Sequence, residues 1–220
     1  MAPNPSHSLQ APLRRYVERL TGEYARIPVD RRERLARLAD YIGQRRRANQ
    51  PVRLHFICTH NSRRSQIAQV WAAVAAAYFG LNDIAPFSGG TEATAFHPRA
   101  VAALKRAGFQ IDHADGDNPR YRVAFSDDAP PVQTYSKTFD DAANPRQGFA
   151  AIMTCAEADA GCPLVPGAEF RLALTYDDPK EADGTPQEAA RYDERVRQIG
   201  RELFYALHLA RQLQNQPPHE

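Results

Sequence analysis

Long apolar runs are missing from this chain of 220 residues, and so is any large excess of charge. Lys and Arg number 28 against 26 Asp and Glu, a formal net charge of +2, so bulk electrostatics points to neither nucleic acid nor a membrane surface. No apolar stretch reaches the ~18 residues that a spanning helix would need. The first residues, MAPNPSHSLQAPLRRY, lack the apolar centre of a secretory signal, so the cytoplasm is the expected compartment. Cysteine is scarce as well. Three residues, an odd number, are too few for a secreted disulfide framework and read instead as reactive or buried thiols. Two of them, with six residues between them, lack the close pairs of zinc ligands, so no metal and no cofactor is expected.

What remains is the composition of an ordinary globular protein, 43% hydrophobic and 25% charged, long enough for one domain with an appendage. The first dozen residues read as a disordered tail. Leu13, Tyr16, Val17, Leu20 and Tyr24 then recur at helical spacing, and a turn at Ile27-Pro28 follows. Asp30 and Glu33 resemble a capping box opening a second helix striped by Leu35, Leu38, Ala39 and Ile42. The run Arg45–Arg47 reads as its solvated end. Residues 1–50 are therefore expected to form a tail and helical hairpin ahead of an α/β domain over 51–220.

From Val52 strands alternate with helices: VRLHFIC, SQIAQVWAAVAAAYFG, IAPFSGG, HPRAVAALKRAGF, FAAIMTC, FRLALTYDD and a long closing helix from TPQEAARY. That alternation predicts a doubly wound, four-stranded parallel sheet with right-handed crossovers. Arg53 and His55 sit awkwardly in the first strand, because a central parallel strand is expected to be apolar on both faces. Residues 113–148, rich in Asp, Pro and Asn, interrupt the pattern and read as an insertion in which YRVAF and VQTYSKTF pair as a hairpin.

Ligands of open parallel sheets bind beyond the carboxyl ends of the strands. Cys58 stands there, directly before a helix. The loop Thr59, His60, Asn61, Ser62 and Arg63 would turn its backbone N–H groups, with the helix N-terminus, into an anion cup. The same partial charge favours a thiolate at Cys58. Arg64 closes the loop with a fork suited to a tetrahedral oxyanion. Ser65 would donate its hydroxyl to the sulfur, and Asn61 tolerates left-handed backbone. Asp178, fixed by the following Pro179, is the expected acid, and Asp177 a surface or supporting carboxylate. A buried structural cysteine with a surface arginine, and a plain Asp-Asp-Pro turn, are the unremarkable alternatives.

CTHNSRRS, SGGTEA and DDP together resemble the low-molecular-weight protein-tyrosine phosphatase superfamily, and within it the thioredoxin-coupled arsenate reductases. The likeness runs from about Val52 to Leu213 outside the insertion. It implies Cys58 as nucleophile, Arg64 as oxyanion ligand and Asp178 as acid. The sequence departs from the family at His60, commonly glycine, and at Arg63, often cysteine. CAEADAGCP, at the end of the third main strand, resembles the redox segment of the reductases. It implies a relay in which Cys58 attacks arsenate, Cys155 attacks Cys58, and Cys162 attacks Cys155, leaving a disulfide for thioredoxin.

Two other functions fit the same loop. A phosphatase needs one thiol and usually places aromatics after the Asp-Pro. DPKEADG has none, although Tyr176 and Tyr192 remain candidates for a ring-binding wall. A non-catalytic oxyanion-binding module would need no nucleophile. Gln69 and Ser88 lie near the loop, with no role assigned.

Overall fold

A computed structural model describes residues 9–113 and 115–214. Helix α1 (Ala11–Thr21) and helix α2 (Val29–Arg47) come first, followed by β1 (Val52–Cys58), α3 (Arg64–Phe79), β2 (Ile84–Gly90) and α4 (Pro98–Ala107). Three short strands follow, β3 (Gln110–His113), β4 (Tyr121–Ala124) and β5 (Val132–Thr134). The chain ends with β6 (Phe149–Met153), α5 (Ala156–Gly161), β7 (Ala168–Ala173) and α6 (Glu188–Gln214). The main sheet is four-stranded and all parallel, in the order β2-β1-β6-β7, as the alternation of strands and helices requires.

Glycine ends two helices where the chain must turn left-handed: Gly80 (φ 68°) after α3 and Gly108 (φ 110°) after α4. One face of β1, through Val52, Leu54 and Phe56, packs with Trp71, Phe204 and Leu207 in the main core. Leu13, Val17 and Leu20 of α1 and Leu35, Leu38 and Ile42 of α2 belong to that same core. The opposite face carries a smaller cluster of Ile57, Cys58, Phe149, Ala151, Met153, Cys155, Ala158 and Val165.

Several local expectations are corrected. No side chain caps α2. The helix starts at Val29, with Pro28 as N-cap, so Asp30 falls inside the first turn, where a carboxylate still favours the helix dipole. The basic run is solvated only in part: Arg47 is exposed, while Arg45 pairs with Glu169 (2.5 Å) and Arg46 with Asp83 (2.7 Å). Residues 1–8 of the expected tail lie outside the described residues. Leu9, however, is buried and bridges to Ser126, and Gln10 N–H donates to the Phe125 carbonyl. An apolar side chain with a strand edge nearby is enough to order that end.

The inserted hairpin is present as β4 and β5, and β3, which the pattern did not suggest, pairs with β4 to complete a second, antiparallel sheet. The insertion also accounts for His55. Its chain returns beneath Gly89, where a Cβ would meet the Phe139 Cα at 2.6 Å and the His55 Nε2 at 2.8 Å. His55 is fully buried, and burial, followed by the charge of Lys137, pushes its pKa down to about 3. It is a neutral core residue. Arg53, nearer the strand's start, keeps partial exposure.

Candidate active site

Parallel register brings three chain segments to one edge of the sheet. Ile57 lies beside Met153, and Met153 beside Ala173. Beyond the strands the ladder continues: Thr154 N–H donates to the Ile57 carbonyl (2.7 Å), and Tyr176 N–H to that of Thr154 (3.1 Å). Cys58, Cys155 and the Tyr176–Asp178 stretch are therefore neighbours, though far apart in sequence.

The loop after Cys58 has its carbonyls turned outward. Thr91 N–H donates to the Cys58 carbonyl and Glu92 N–H to that of Thr59. The His60 carbonyl accepts from the Ser136 (3.0 Å) and Thr94 (3.2 Å) hydroxyls, and that of Asn61 from the Gln66 amide (2.5 Å). His97 N–H takes Ser62, and Ile67 N–H takes Arg63. With every carbonyl from 58 to 63 engaged, the peptide N–H groups point the other way. Among the described residues no acceptor takes up those of His60, Asn61, Ser62 or Arg63. An anion bound there would receive several convergent N–H donors beside the first turn of α3. Gly90 makes the close packing feasible, since a Cβ would stand 2.5 Å from the Thr59 carbonyl oxygen and 2.7 Å from the Asn61 nitrogen.

Asn61 holds φ at 47° and locks the loop through its amide. Its Oδ1 accepts from Lys137 N–H (2.9 Å), which fixes the amide orientation and leaves Nδ2 to donate to Ser65 Oγ (2.8 Å). Since Ser65 Oγ accepts that bond, its own proton is free for the Cys58 sulfur at 3.1 Å. His60, at the position that commonly carries glycine, points outward with a half-exposed ring, so its side chain does not crowd the cup.

Arg64 is buried, and its fork is oriented from the far side. Nη1 donates to the Tyr176 carbonyl (2.9 Å) and Nη2 to Asp178 Oδ2 (2.7 Å). Arg63 stands on the other flank of Asp178, 3.9 Å from Oδ1, and is itself held by the Tyr192 hydroxyl (2.9 Å). That hydroxyl donates in turn to Asp183 (2.9 Å). Asp177 is 88% exposed and pairs with Arg195, away from the loop.

Cys155 is fully buried, with Sγ 3.4 Å from the Thr59 hydroxyl and 3.4 Å from the Ala158 N–H that it caps. Burial raises the pKa of its thiol, while the Thr59 hydroxyl, the Ala158 N–H and Arg64 oppose that shift. Cys162 lies at the other end of α5 and is partly exposed; its N–H bonds to the Ala158 carbonyl. All three thiols are free. The structure thus gathers Cys58, Arg64, Ser65, Asp178 and Cys155 with the loop, and sets Cys162 one short helix away.

Some supports escaped the sequence. The strap from Thr134 to Phe139, inside the insertion, braces the loop through Ser136 and Lys137. Thr134 donates to Gln66 (2.6 Å). Ser88 and Gln69, expected near the loop with no role assigned, bond to each other (2.6 Å). Tyr176 and Tyr192 are both buried, with Tyr176 beneath Arg31 and Tyr192 engaged by Arg63, so neither offers a wall to an aryl ring.

Residues 53–120 match the family described as low molecular weight phosphotyrosine protein phosphatase. An arsenate reductase of Bacillus subtilis is 31% identical over 151 residues, 68% of this chain and 91% of the relative. One from Brevibacillus brevis is 32% identical over 126 residues, 57% and 75% of the two chains. Among solved structures, a thioredoxin-dependent arsenate reductase of Corynebacterium glutamicum aligns over 89% of this chain and 85% of its own, at 22% identity and a TM-score of 0.42.

Proposed function

This chain belongs to the arsenate reductases built on the low-molecular-weight phosphatase fold, and from that premise we propose that it reduces arsenate to arsenite by a relay of its three thiols. The observation that carries the proposal is the second sulfur: Cys155 is held against the oxyanion loop through Thr59, with Cys162 at the far end of the helix that Cys155 caps.

Cys58 attacks arsenic, and one arsenate oxygen leaves as water with a proton supplied by Asp178. Arg64 touches the Asp178 carboxylate, so an oxyanion on that guanidinium lies beside the acid. Cys155 thiolate then attacks the Cys58 sulfur. A Cys58–Cys155 disulfide forms, the sulfur–arsenic bond breaks, and its electron pair stays on arsenic as arsenite departs. Cys162 attacks Cys155 and frees Cys58, leaving a Cys155–Cys162 disulfide that thioredoxin reduces by two electrons.

The second reading, hydrolysis of phosphotyrosine through a Cys58 phosphocysteine, shares the loop and Asp178. Against it stand the buried Tyr176 and Tyr192 and the lack of aromatics in DPKEADG, directly after Asp178. The test is an assay of purified protein with arsenate, thioredoxin and thioredoxin reductase, run beside an aryl phosphate. Cys155→Ser is expected to abolish turnover of arsenate while leaving oxyanion binding intact. Robust aryl phosphate hydrolysis, unchanged by Cys155→Ser and with no arsenate turnover in the parent protein, would establish the phosphatase instead.

A further inference from the structure

Helix α2 precedes the phosphatase-like part of the chain, yet two of its arginines end on the backbone that leads to Asp178. Arg34 donates to the Ala173 carbonyl (3.2 Å) and Arg31 Nη1 to that of Thr175 (3.0 Å). Both carbonyls belong to the end of β7, the outer strand of the sheet, and to the irregular stretch that follows it. On its inner side that stretch is tied to β6 and its extension, by Leu174 N–H to the Met153 carbonyl and by Tyr176 N–H to that of Thr154. The arginines supply the outer ties.

Arg31 is itself fixed from three directions. Its guanidinium forks onto Glu202 of α6, Nε to Oε1 at 2.9 Å and Nη2 to Oε2 at 2.5 Å. Glu202 is fully buried and also accepts from the Gln198 amide (3.1 Å). The same guanidinium lies 4.9 Å from the centre of the Tyr176 ring. A buried carboxylate with a bidentate arginine is costly to disturb, so Arg31 has one well-defined position. The chain of contact then continues through Tyr176, whose carbonyl accepts from Arg64 Nη1 at 2.9 Å, to Asp178, which holds Nη2.

We propose that Arg31 is a positioning residue for oxyanion binding: anchored on Glu202, it fixes the Thr175–Tyr176 backbone, which in turn aims the Arg64 guanidinium at the Cys58 loop. The N-terminal helices thereby become part of the site's support. The inference deepens the reductase proposal and rests on it for the identity of the oxyanion turned over, but inorganic phosphate suffices to read it. Misplacing a binding group by about 1 Å can cost up to 100-fold, so a softened support is expected to cost about tenfold.

The experiment titrates inorganic phosphate calorimetrically into the full-length, thiol-reduced protein. Arg31→Lys keeps a charge opposite Glu202, and so the fold, but cannot grip Glu202 and the Thr175 carbonyl together. Arg31→Leu combined with Glu202→Leu removes both charges, a replacement that buried pairs tolerate. Both are expected to weaken phosphate binding by about tenfold. Arg45→Ala, which also breaks an ion pair of α2 but one made to Glu169, is expected to leave it unchanged. In an Arg64→Lys background the Arg31 changes should add nothing, because the link they act through is already cut. Unchanged phosphate affinity, an equal loss in Arg45→Ala, full additivity with Arg64→Lys, or a parent protein that takes up no phosphate would each overturn the proposal. A parent that binds phosphate but never reduces arsenate would instead sink the reductase proposal, with the Arg31 result still legible.

Discussion

Burial raises the pKa of the Cys155 thiol even though Thr59, Ala158 and Arg64 each pull it down. A thiol titrating above its usual range is mostly protonated at neutral pH, and its thiolate fraction grows about tenfold per pH unit until that raised pKa. In the proposed relay, attack of Cys155 on Cys58 is therefore expected to accelerate with pH through the neutral range. In that relay Cys162→Ser should halt turnover at the Cys58–Cys155 disulfide, and quenched single turnovers then measure its formation directly. Thr59→Val removes a bond that favours the thiolate, so the profile should move to higher pH and the rate at pH 7 should fall several-fold. A rate flat from pH 6 to 9 would sink this account. The Cys58, Ser65 and Arg64 spacing is legible in the sequence because one loop and one helix turn impose it. The Thr59–Cys155 contact is not, because the two residues are 96 positions apart.

Helix α5 is six residues long, with one thiol at each end, and its far end is clamped. Arg171 of β7 donates to Asp159 Oδ1 (2.6 Å) and the Asp159 carbonyl (2.7 Å), and its Nε to the Cys162 carbonyl (3.2 Å). If residues 155–162 kept a helical rise, seven steps at ~1.5 Å would put the two Cα atoms roughly 10 Å apart, beyond the ~7 Å that a disulfide accepts. Forming Cys155–Cys162 thus requires α5 to unwind and Arg171 to let go. Arg171→Ala should raise amide exchange across residues 156–162 of the dithiol form about tenfold, read by hydrogen–deuterium mass spectrometry. Global stability should change by less than about 1 kcal/mol, since the pair is partly exposed. Equal protection in parent and variant would show that Arg171 is no clamp. The sequence made this element interpretable through its small residues and terminal glycine, but the arginine that holds it comes from another strand.

Across the whole molecule, α1 and α2 share their interior with the sheet. Leu13, Val17, Leu20, Leu35, Leu38 and Ile42 are all at most 1% exposed, and α2 packs along α6. Each such side chain contributes about 1.5–3 kcal/mol on burial, so six together rival the net stability of a domain, about 5–15 kcal/mol. A chain reduced to residues 51–220 is accordingly expected to lose its cooperative thermal transition, while the full-length protein shows a single one. A truncated chain with a sharp transition near the parent's would contradict that expectation. The insertion has a comparable place, because its strap buries His55 and braces the oxyanion loop.

By itself the sequence determined the periodicities that make these helices and strands, the glycines that end α3 and α4, and the loop whose thiol, hydroxyl and guanidinium lie within eight residues. Those features are local, fixed by backbone geometry over one or two turns. Tertiary structure decided which distant polar groups meet: Cys155 with Thr59, Lys137 with Asn61, and Arg31 with Glu202 beside the backbone that accepts from Arg64. Those pairings follow from the sheet order and from where the insertion and the N-terminal helices pack, and long-range packing leaves only faint traces in a one-dimensional pattern.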